Sequence, residues 1–225
     1  MRMKFLAVLF VGVALLTAAT ASARESTINC HCFKDRSYDP EQPHKVTDYL
    51  LATTHNSFFA QAFSLNKADV VRARMGGIAG EDLWLVHYLS ERSGLHTRDL
   101  MDARADKGFW SVVIRELSLP ADTVGAQVRA IAQQGGDDAA LAAAVADETV
   151  GRLLAVEADE LKSLRDSGAG TQQILLAVFL SRQTGRPAGD IFAEVHTQKI
   201  TWGEVLASAG LSPTQIEPEI VKLIQ

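Results

Sequence analysis

The sequence predicts an all-α protein, from two local patterns and one internal repeat. The first pattern is the run Ile174 to Leu180, seven apolar residues in a segment bounded by Gly170 and Gly185. A run of this length with a glycine on each side is typical of a buried helix. The second pattern is Thr201 with Glu204, the spacing of a capping box, in which each side chain accepts a hydrogen bond from the other residue's backbone N–H.

The internal repeat relates residues 81–119 to residues 171–211, about ninety residues later in the chain. The match needs only two one-residue gaps, and it extends to roughly 46–133 and 138–225. Its aligned pairs are Ser90 with Ser181, Gly94 with Gly185, Asp99 with Asp190, Leu100 with Ile191, Trp110 with Trp202, and Leu119 with Leu211. Repeats on this scale are usually stacked units, none of which buries its apolar face alone. We therefore expect an internally duplicated helical bundle or a short solenoid of helical hairpins.

Residues 1–23 have the pattern of a secretory signal peptide. Arg2 and Lys4 form a basic start, residues 5–16 an apolar core, and residues 21–23 a small-residue cleavage site. The apolar core is shorter than the roughly 20 residues of a membrane-spanning helix. We expect cleavage after this segment, a periplasmic or secreted location, and no membrane span in the mature chain.

An irregular arm is predicted over residues 24–45, which contain two prolines and several turn formers without apolar periodicity. The two helical halves follow as residues 46–134 and 135–225, with Gly135 and Gly136 at the joint. We expect the two halves to pack together as one domain.

Caps, glycines and apolar spacing predict the individual helices. In the first half they are a helix from Val46 with Thr47 or Asp48 as its cap, a short helix over 69–74, a buried helix over 83–89, short helices opening at Asp99 and Trp110, and a helix over 120–133. In the second half they are an alanine-rich helix over 139–146, short helices opening at Asp159, Asp190 and Trp202, the buried helix over 174–180, and a last helix after Ser212 and Pro213.

Six residues at the starts of short helices are interpreted as structural anchors. They are Asp69, Asp99, Asp159, Asp190, Trp110 and Trp202. A carboxylate in the first turn complements the helix dipole by about 0.3–1 kcal/mol, or caps the helix, so the aspartates need no catalytic role. The two tryptophans are expected to hold each hairpin against the buried helix.

Chemically reactive residues are concentrated near the arm, where Cys30, His31 and Cys32 are consecutive and His44 and His55 follow. A disulfide within the chain or to another chain suits an oxidising compartment. Two thiolates with one or more of the histidines would instead suit Zn or Cu. Redox exchange through Cys30 and Cys32 is a third interpretation, and it requires a lowered thiol pKa. The native mass separates these interpretations, because bound metal raises it and a disulfide lowers it by two hydrogens.

Composition and motifs argue against several classes of function. Without the two cations of the signal peptide, the chain has 20 basic and 27 acidic residues, a poor match for the phosphates of nucleic acid. The metalloprotease motif His-Glu-x-x-His, the Gly-x-Ser-x-Gly elbow and the phosphate-binding Walker loop do not occur.

Residues 202–216 resemble the helix-turn-helix family, with Gly210 at the turn. The resemblance implies the geometry of two helices joined by a tight turn. Leu206 stands where the family usually has a small residue, and Glu217 and Glu219 stand where it has cations. Because acidic side chains repel phosphate, we expect no nucleic-acid partner.

These patterns lead to two functional hypotheses. The first is an exported, non-enzymatic helical-repeat protein that binds a protein partner or assembles with its own copies, with or without a small metal site in the arm. The alternative is an exported thiol-redox or metal-handling protein that acts through Cys30 and Cys32.

Overall fold

The structure is a computed structural model, and it describes Asp39, residues 43–120 and residues 122–225. The predictions for the signal peptide, most of the arm, Cys30, His31 and Cys32 lie outside these residues. The described residues form twelve α-helices and no strand, which confirms the all-α prediction.

The helices run in chain order, with a short 3-10 turn before the first and the last of them. In the first half they are α1 (Thr47–Ala62), α2 (Lys67–Met75), α3 (Gly80–Ser93), α4 (Thr97–Lys107), α5 (Trp110–Glu116) and α6 (Ala126–Gln133). In the second half they are α7 (Asp138–Leu154), α8 (Ala158–Asp166), α9 (Thr171–Thr184), α10 (Ala188–His196), α11 (Trp202–Ser208) and α12 (Ile216–Ile224). The 3-10 turns are Pro43–Val46 and Pro213–Gln215. Within the described ranges, no helix has both the length and the apolar composition needed to cross a membrane.

Helices α3 and α9 have the same length and the same ending. Each has 14 residues and stops at a left-handed glycine, Gly94 with φ 72° and Gly185 with φ 73°. In each case the glycine N–H donates to a serine carbonyl four residues back, at 2.9 Å. Glycine occupies these positions because a side chain disfavours the left-handed conformation. Residues 174–180 of α9 are all buried, as predicted.

The first helix of each half packs mainly against helices of the other half. Helix α1 lies against α9 and α12, and α7 lies against α3 and α6. Within its own half, the main neighbour of α1 is α2, which follows it directly in the chain. Much of the apolar surface of α1 and α7 is therefore buried only where the two halves meet.

Helix α1 is buried on all sides over residues 53–60, a span of two turns. The sequence predicts only an apolar stripe here, carried by residues such as Phe58 and Phe59. The buried residues that this stripe does not predict are polar, and they lie in the segment Thr53 to Ser57.

Two predicted helix starts are confirmed. Thr201 Oγ1 accepts from the Glu204 N–H at 3.2 Å, and the Glu204 carboxylate accepts from the Thr201 N–H at 2.6 Å. Ser212 and Gln215 form the corresponding box around Pro213, which occupies the first position of the 3-10 turn before α12.

Two other predicted starts are wrong. Val46 is the N-terminal cap residue of α1, so neither Thr47 nor Asp48 caps it. Helix α6 begins at Ala126 and not at residue 120. Its delayed start has a tertiary cause, because the backbone N–H of Gly125 donates to the hydroxyl of Tyr88 on α3 at 2.9 Å and holds the preceding segment outside the helix.

The hydroxyl of Thr54 gives a prediction about stability. Its Oγ1 atom is buried beside an apolar cavity of about 10 Å³, and it has no hydrogen-bond partner among the described residues. A buried unpaired hydroxyl costs about 1–3 kcal/mol. We expect Thr54→Val to raise the free energy of unfolding by about 1 kcal/mol in urea denaturation.

Thr149 provides the matched control, because its hydroxyl donates to the Val145 carbonyl at 2.7 Å. Thr149→Val loses that bond and should not stabilise the protein. A destabilised Thr54→Val would contradict the interpretation that this hydroxyl is buried without a partner.

Candidate functional site

A cleft of about 520 Å³ opens where the two halves meet. Its walls come from α1, α2 and α3 of the first half and from α7 and α9 of the second. The side chains that give it chemical character are His55, Arg74, Glu81, Trp84, Gln172 and Gln173.

His55 and Trp84 form the floor of this cleft. The indole Nε1–H of Trp84 donates to His55 Nε2 at 3.1 Å, and His55 Nδ1 lies 3.3 Å from the Asn56 side-chain oxygen. This pattern requires the proton of the neutral ring to be on Nδ1. Only 5% of the His55 surface is exposed. Burial lowers the pKa of His55 to about 4, and the positive charge of Arg74 acts in the same direction.

Aromatic rings hold the indole of Trp84 in place from the α1 side. Phe59 lies edge-on to it at 4.9 Å between ring centroids, and Phe63 lies edge-on at 5.8 Å. Both phenylalanines also contact the ring of His87, whose pKa is lowered by burial. The floor of the cleft is therefore part of a packed aromatic cluster, which favours a fixed geometry.

Arg74 and Glu81 stand at the mouth of the cleft with opposite charges. Both side chains are exposed, and neither has an ion pair or a hydrogen bond among the described residues. Gly80 and Thr171 open α3 and α9 beside them. The mouth thus presents a free cation and a free anion to a bound molecule.

Exposed apolar side chains occur in the segments that lead into the lining of this cleft. Met75 is 51% exposed and follows Arg74, and Ile78 is 38% exposed and precedes the start of α3. Phe109 is 60% exposed, and its neighbour Trp110 is bonded to the first turn of α3. Exposed apolar side chains that form one contiguous patch are characteristic of a surface that another molecule covers.

A cluster of polar contacts fixes the N-terminal ends of α3, α5 and α7 relative to one another. The Trp110 indole donates to Asp82 at 2.7 Å, and its backbone N–H donates to Asp138 at 2.9 Å. Arg104 of α4 forms an ion pair with Asp138 and lies 3.7 Å from Asp82. Helices α3 and α7, on opposite sides of the cleft, are held together by this cluster.

A second cleft of about 640 Å³ lies between α6, α7 and α8. Its least exposed charges are already paired, Asp147 with Arg165 at 2.8 Å and Glu148 with Arg92 at 2.7 Å. Burial raises the pKa of Tyr88 to about 12, so its hydroxyl stays protonated and donates to Glu148 at 2.9 Å. The paired charges of this second cleft hold helices together, so we assign it a structural role. The candidate site is the first cleft, which has His55 at its floor and is called the His55 cleft below.

Of the residues proposed from the sequence as metal ligands, His55 is the one whose side chain the structure describes. His55 lies at the floor of the cleft, where Trp84 already occupies its Nε2 atom. His44 belongs to the 3-10 turn before α1, and its side chain is outside the described residues. In the described ranges, no group of three or more His, Cys, Asp or Glu side chains could hold a metal ion.

The proposed anchors all lie at the starts of helices. Asp69, Asp99, Asp159 and Asp190 are in the first turns of α2, α4, α8 and α10. Asn66, and not Asp69, caps α2, because its side chain accepts from the Ala68 N–H at 2.8 Å. Trp110 and Trp202 are both buried at the first positions of α5 and α11.

The sequence does not identify Arg74, Glu81 or Trp84 as site residues. The one signal that could have drawn attention to the cleft is the polar segment Thr53 to Ser57, which lies between Leu50 and Phe58. Polar residues in a fully buried helix need partners, and a search for them leads to the indole of Trp84. No family model, curated protein or solved structure matches the chain.

Proposed function

We propose that this chain is an exported, non-enzymatic protein that binds a protein partner, or assembles with its own copies, at the His55 cleft. The observation that carries the proposal is the exposure of three apolar side chains, Met75, Ile78 and Phe109, in segments that lead into the lining of the cleft or are bonded to it. Large apolar and aromatic side chains at the centre of an interface supply most of its binding energy. The partner would bring an apolar side chain to this group and charged groups to Arg74 and Glu81.

We also propose that residues 46–134 and 135–225 are two copies of one helical unit. The matched lengths and glycine endings of α3 and α9 support the duplication. So does the packing, since α1 contacts α9 and α12 as α7 contacts α3 and α6. Duplicated helical units form continuous surfaces suited to binding other proteins.

Phe109→Ser tests the binding site with little risk to the fold. Phe109 is the cap residue before α5, a position that serine favours. A protein partner is first identified by chemical cross-linking and then purified. We expect Phe109→Ser to lower the affinity for this partner, or the affinity of self-association measured by sedimentation, at least tenfold. The reason is that the substitution removes the most exposed large apolar side chain of the described residues.

Leu95→Ser is the matched control. Leu95 is 40% exposed but lies beyond the C-terminal end of α3, away from the cleft. Binding should be unchanged in this variant. Equal loss in both variants, or a wild-type protein that neither self-associates nor cross-links to a partner, would refute the proposal.

The redox or metal-handling alternative rests on the sequence of the arm, where Cys30 and Cys32 flank His31. The ligands of its Zn or Cu site would be these residues and His44. His55 could be a ligand only if it lost its hydrogen bond to Trp84. Retention of a metal ion by the native protein, and loss of that ion in Cys30→Ser, is the result that would favour it.

A further inference from the structure

The interface between the two halves buries surfaces that neither half covers by itself. Helix α1 meets α9 and α12, and α7 meets α3 and α6. Polar contacts also cross it, including the ion pair of Lys67 on α2 with Glu217 on α12 at 2.9 Å. Every one of these contacts joins one first half to one second half, so a second half from another chain can make the same contacts.

The short connection between α6 and α7, called the joint, determines whether a first half packs against the second half of its own chain or of another chain. Helix α6 ends at Gln133 and α7 is capped by Asp137, so the chain reverses through Gly135 and Gly136. Gly135 has φ 69°, a left-handed conformation that other residues adopt only with strain. A Cβ atom on Gly136 would lie 2.4 Å from Ile131 Cγ2 and 3.1 Å from the Ile131 carbonyl oxygen. The closed joint therefore depends on both glycines.

We propose that a second copy of this chain is a partner for the interface between the halves, with two chains exchanging their second halves about Gly135 and Gly136. Exchange keeps all contacts of the closed monomer and opens only the joint, which is the usual condition for domain swapping. The inference builds on the self-association in the proposed function, but it uses the interface between the halves and not the cleft.

The double variant Gly135→Ala, Gly136→Ala is the first test. Alanine strains the closed joint and has a higher helix propensity than glycine, so α6 and α7 are favoured as one continuous helix. A continuous helix directs the second half away from its own first half and toward another chain. We expect at least a tenfold higher dimer-to-monomer ratio than in the wild type at equal concentration, with unchanged helical content.

Isotope-mixed cross-linking distinguishes exchange from side-by-side pairing. Full-length chains with and without ¹⁵N are unfolded together, refolded at high concentration, and treated with a reagent that joins amines to carboxylates. In an exchanged dimer, the Lys67 to Glu217 cross-link combines peptides of both isotopes. The Lys107 to Glu116 pair, 3.1 Å apart within the first half, is the control and should always carry a single isotope.

Mixed Lys67 to Glu217 cross-links in the dimer support the proposal. A folded double variant that stays monomeric, or a dimer with only single-isotope cross-links, overturns it. If the double variant does not fold, the refolded wild type decides, and the absence of mixed cross-links there overturns the proposal as well. Phe109→Ser should leave exchange unchanged and the double variant should still bind at the cleft, so failure of either proposal can be recognised separately.

Discussion

Replacing Trp110 with alanine is expected to lower the free energy of unfolding by about 3–5 kcal/mol, the range for removing a large buried aromatic side chain. The indole is fully buried at the start of α5, and its N–H donates to Asp82 at 2.7 Å. Truncation leaves a cavity and removes a hydrogen-bond donor from the Asp82 carboxylate, which keeps Arg104 as a neighbour at 3.7 Å. Urea denaturation followed by circular dichroism measures the loss.

The adjacent residue gives the control for this prediction. Phe109→Ser changes an exposed side chain, so its effect on stability should stay within about 0.5 kcal/mol. The hydrogen bond itself is isolated by a double-mutant cycle of Trp110→Phe with Asp82→Ala. We expect a coupling energy of about 1–2 kcal/mol, and strict additivity of the two substitutions would show that the indole acts by packing alone.

Acid is expected to destabilise the protein through His55 by about 3 kcal/mol between pH 6.5 and 4. The ring has a pKa of about 4 in the fold and 6.5 in an unfolded chain. Between these values the unfolded chain binds a proton that the folded chain does not, so the free energy of unfolding falls as the pH falls. Well above pH 6.5 and well below pH 4 this group causes no further change. His87 contributes in the same direction, because burial also lowers its pKa.

His55→Gln tests the source of this pH dependence. Glutamine does not titrate, and its side-chain oxygen can accept the Trp84 N–H in place of Nε2. The variant should lose most of the acid-dependent change in urea denaturation between pH 7 and pH 4, whatever its stability at pH 7. The control is His196→Gln, which alters an exposed histidine at the end of α10 and should keep the wild-type pH dependence. An unchanged slope in His55→Gln would contradict the assignment.

The features that the sequence predicts well are local. The buried run of α9, the capping box at Thr201 and the 3-10 start at Pro213 each depend on residues a few positions apart. Such signals act through the backbone of a single segment, so they can be read without knowledge of the tertiary structure.

The features that the sequence does not reveal depend on distant partners. Helix α1 is buried on all sides because α9 and α12 cover it, and no periodicity in residues 47–62 indicates this. The start of α6 is set by Tyr88, 37 positions before Gly125 in the chain. His55 stands out in the sequence as a metal ligand candidate, whereas its contact with Trp84 depends on the packing of α1 beside α3.

The reciprocal packing of the halves also affects the order in which contacts form during folding. The two main neighbours of α1 are α9 and α12, and both are distant from it in the sequence. Contacts between such distant segments form slowly, because a long loop must close before they are made. We therefore expect the apolar surface of α1 to be covered late in folding, after the shorter-range contacts between successive helices.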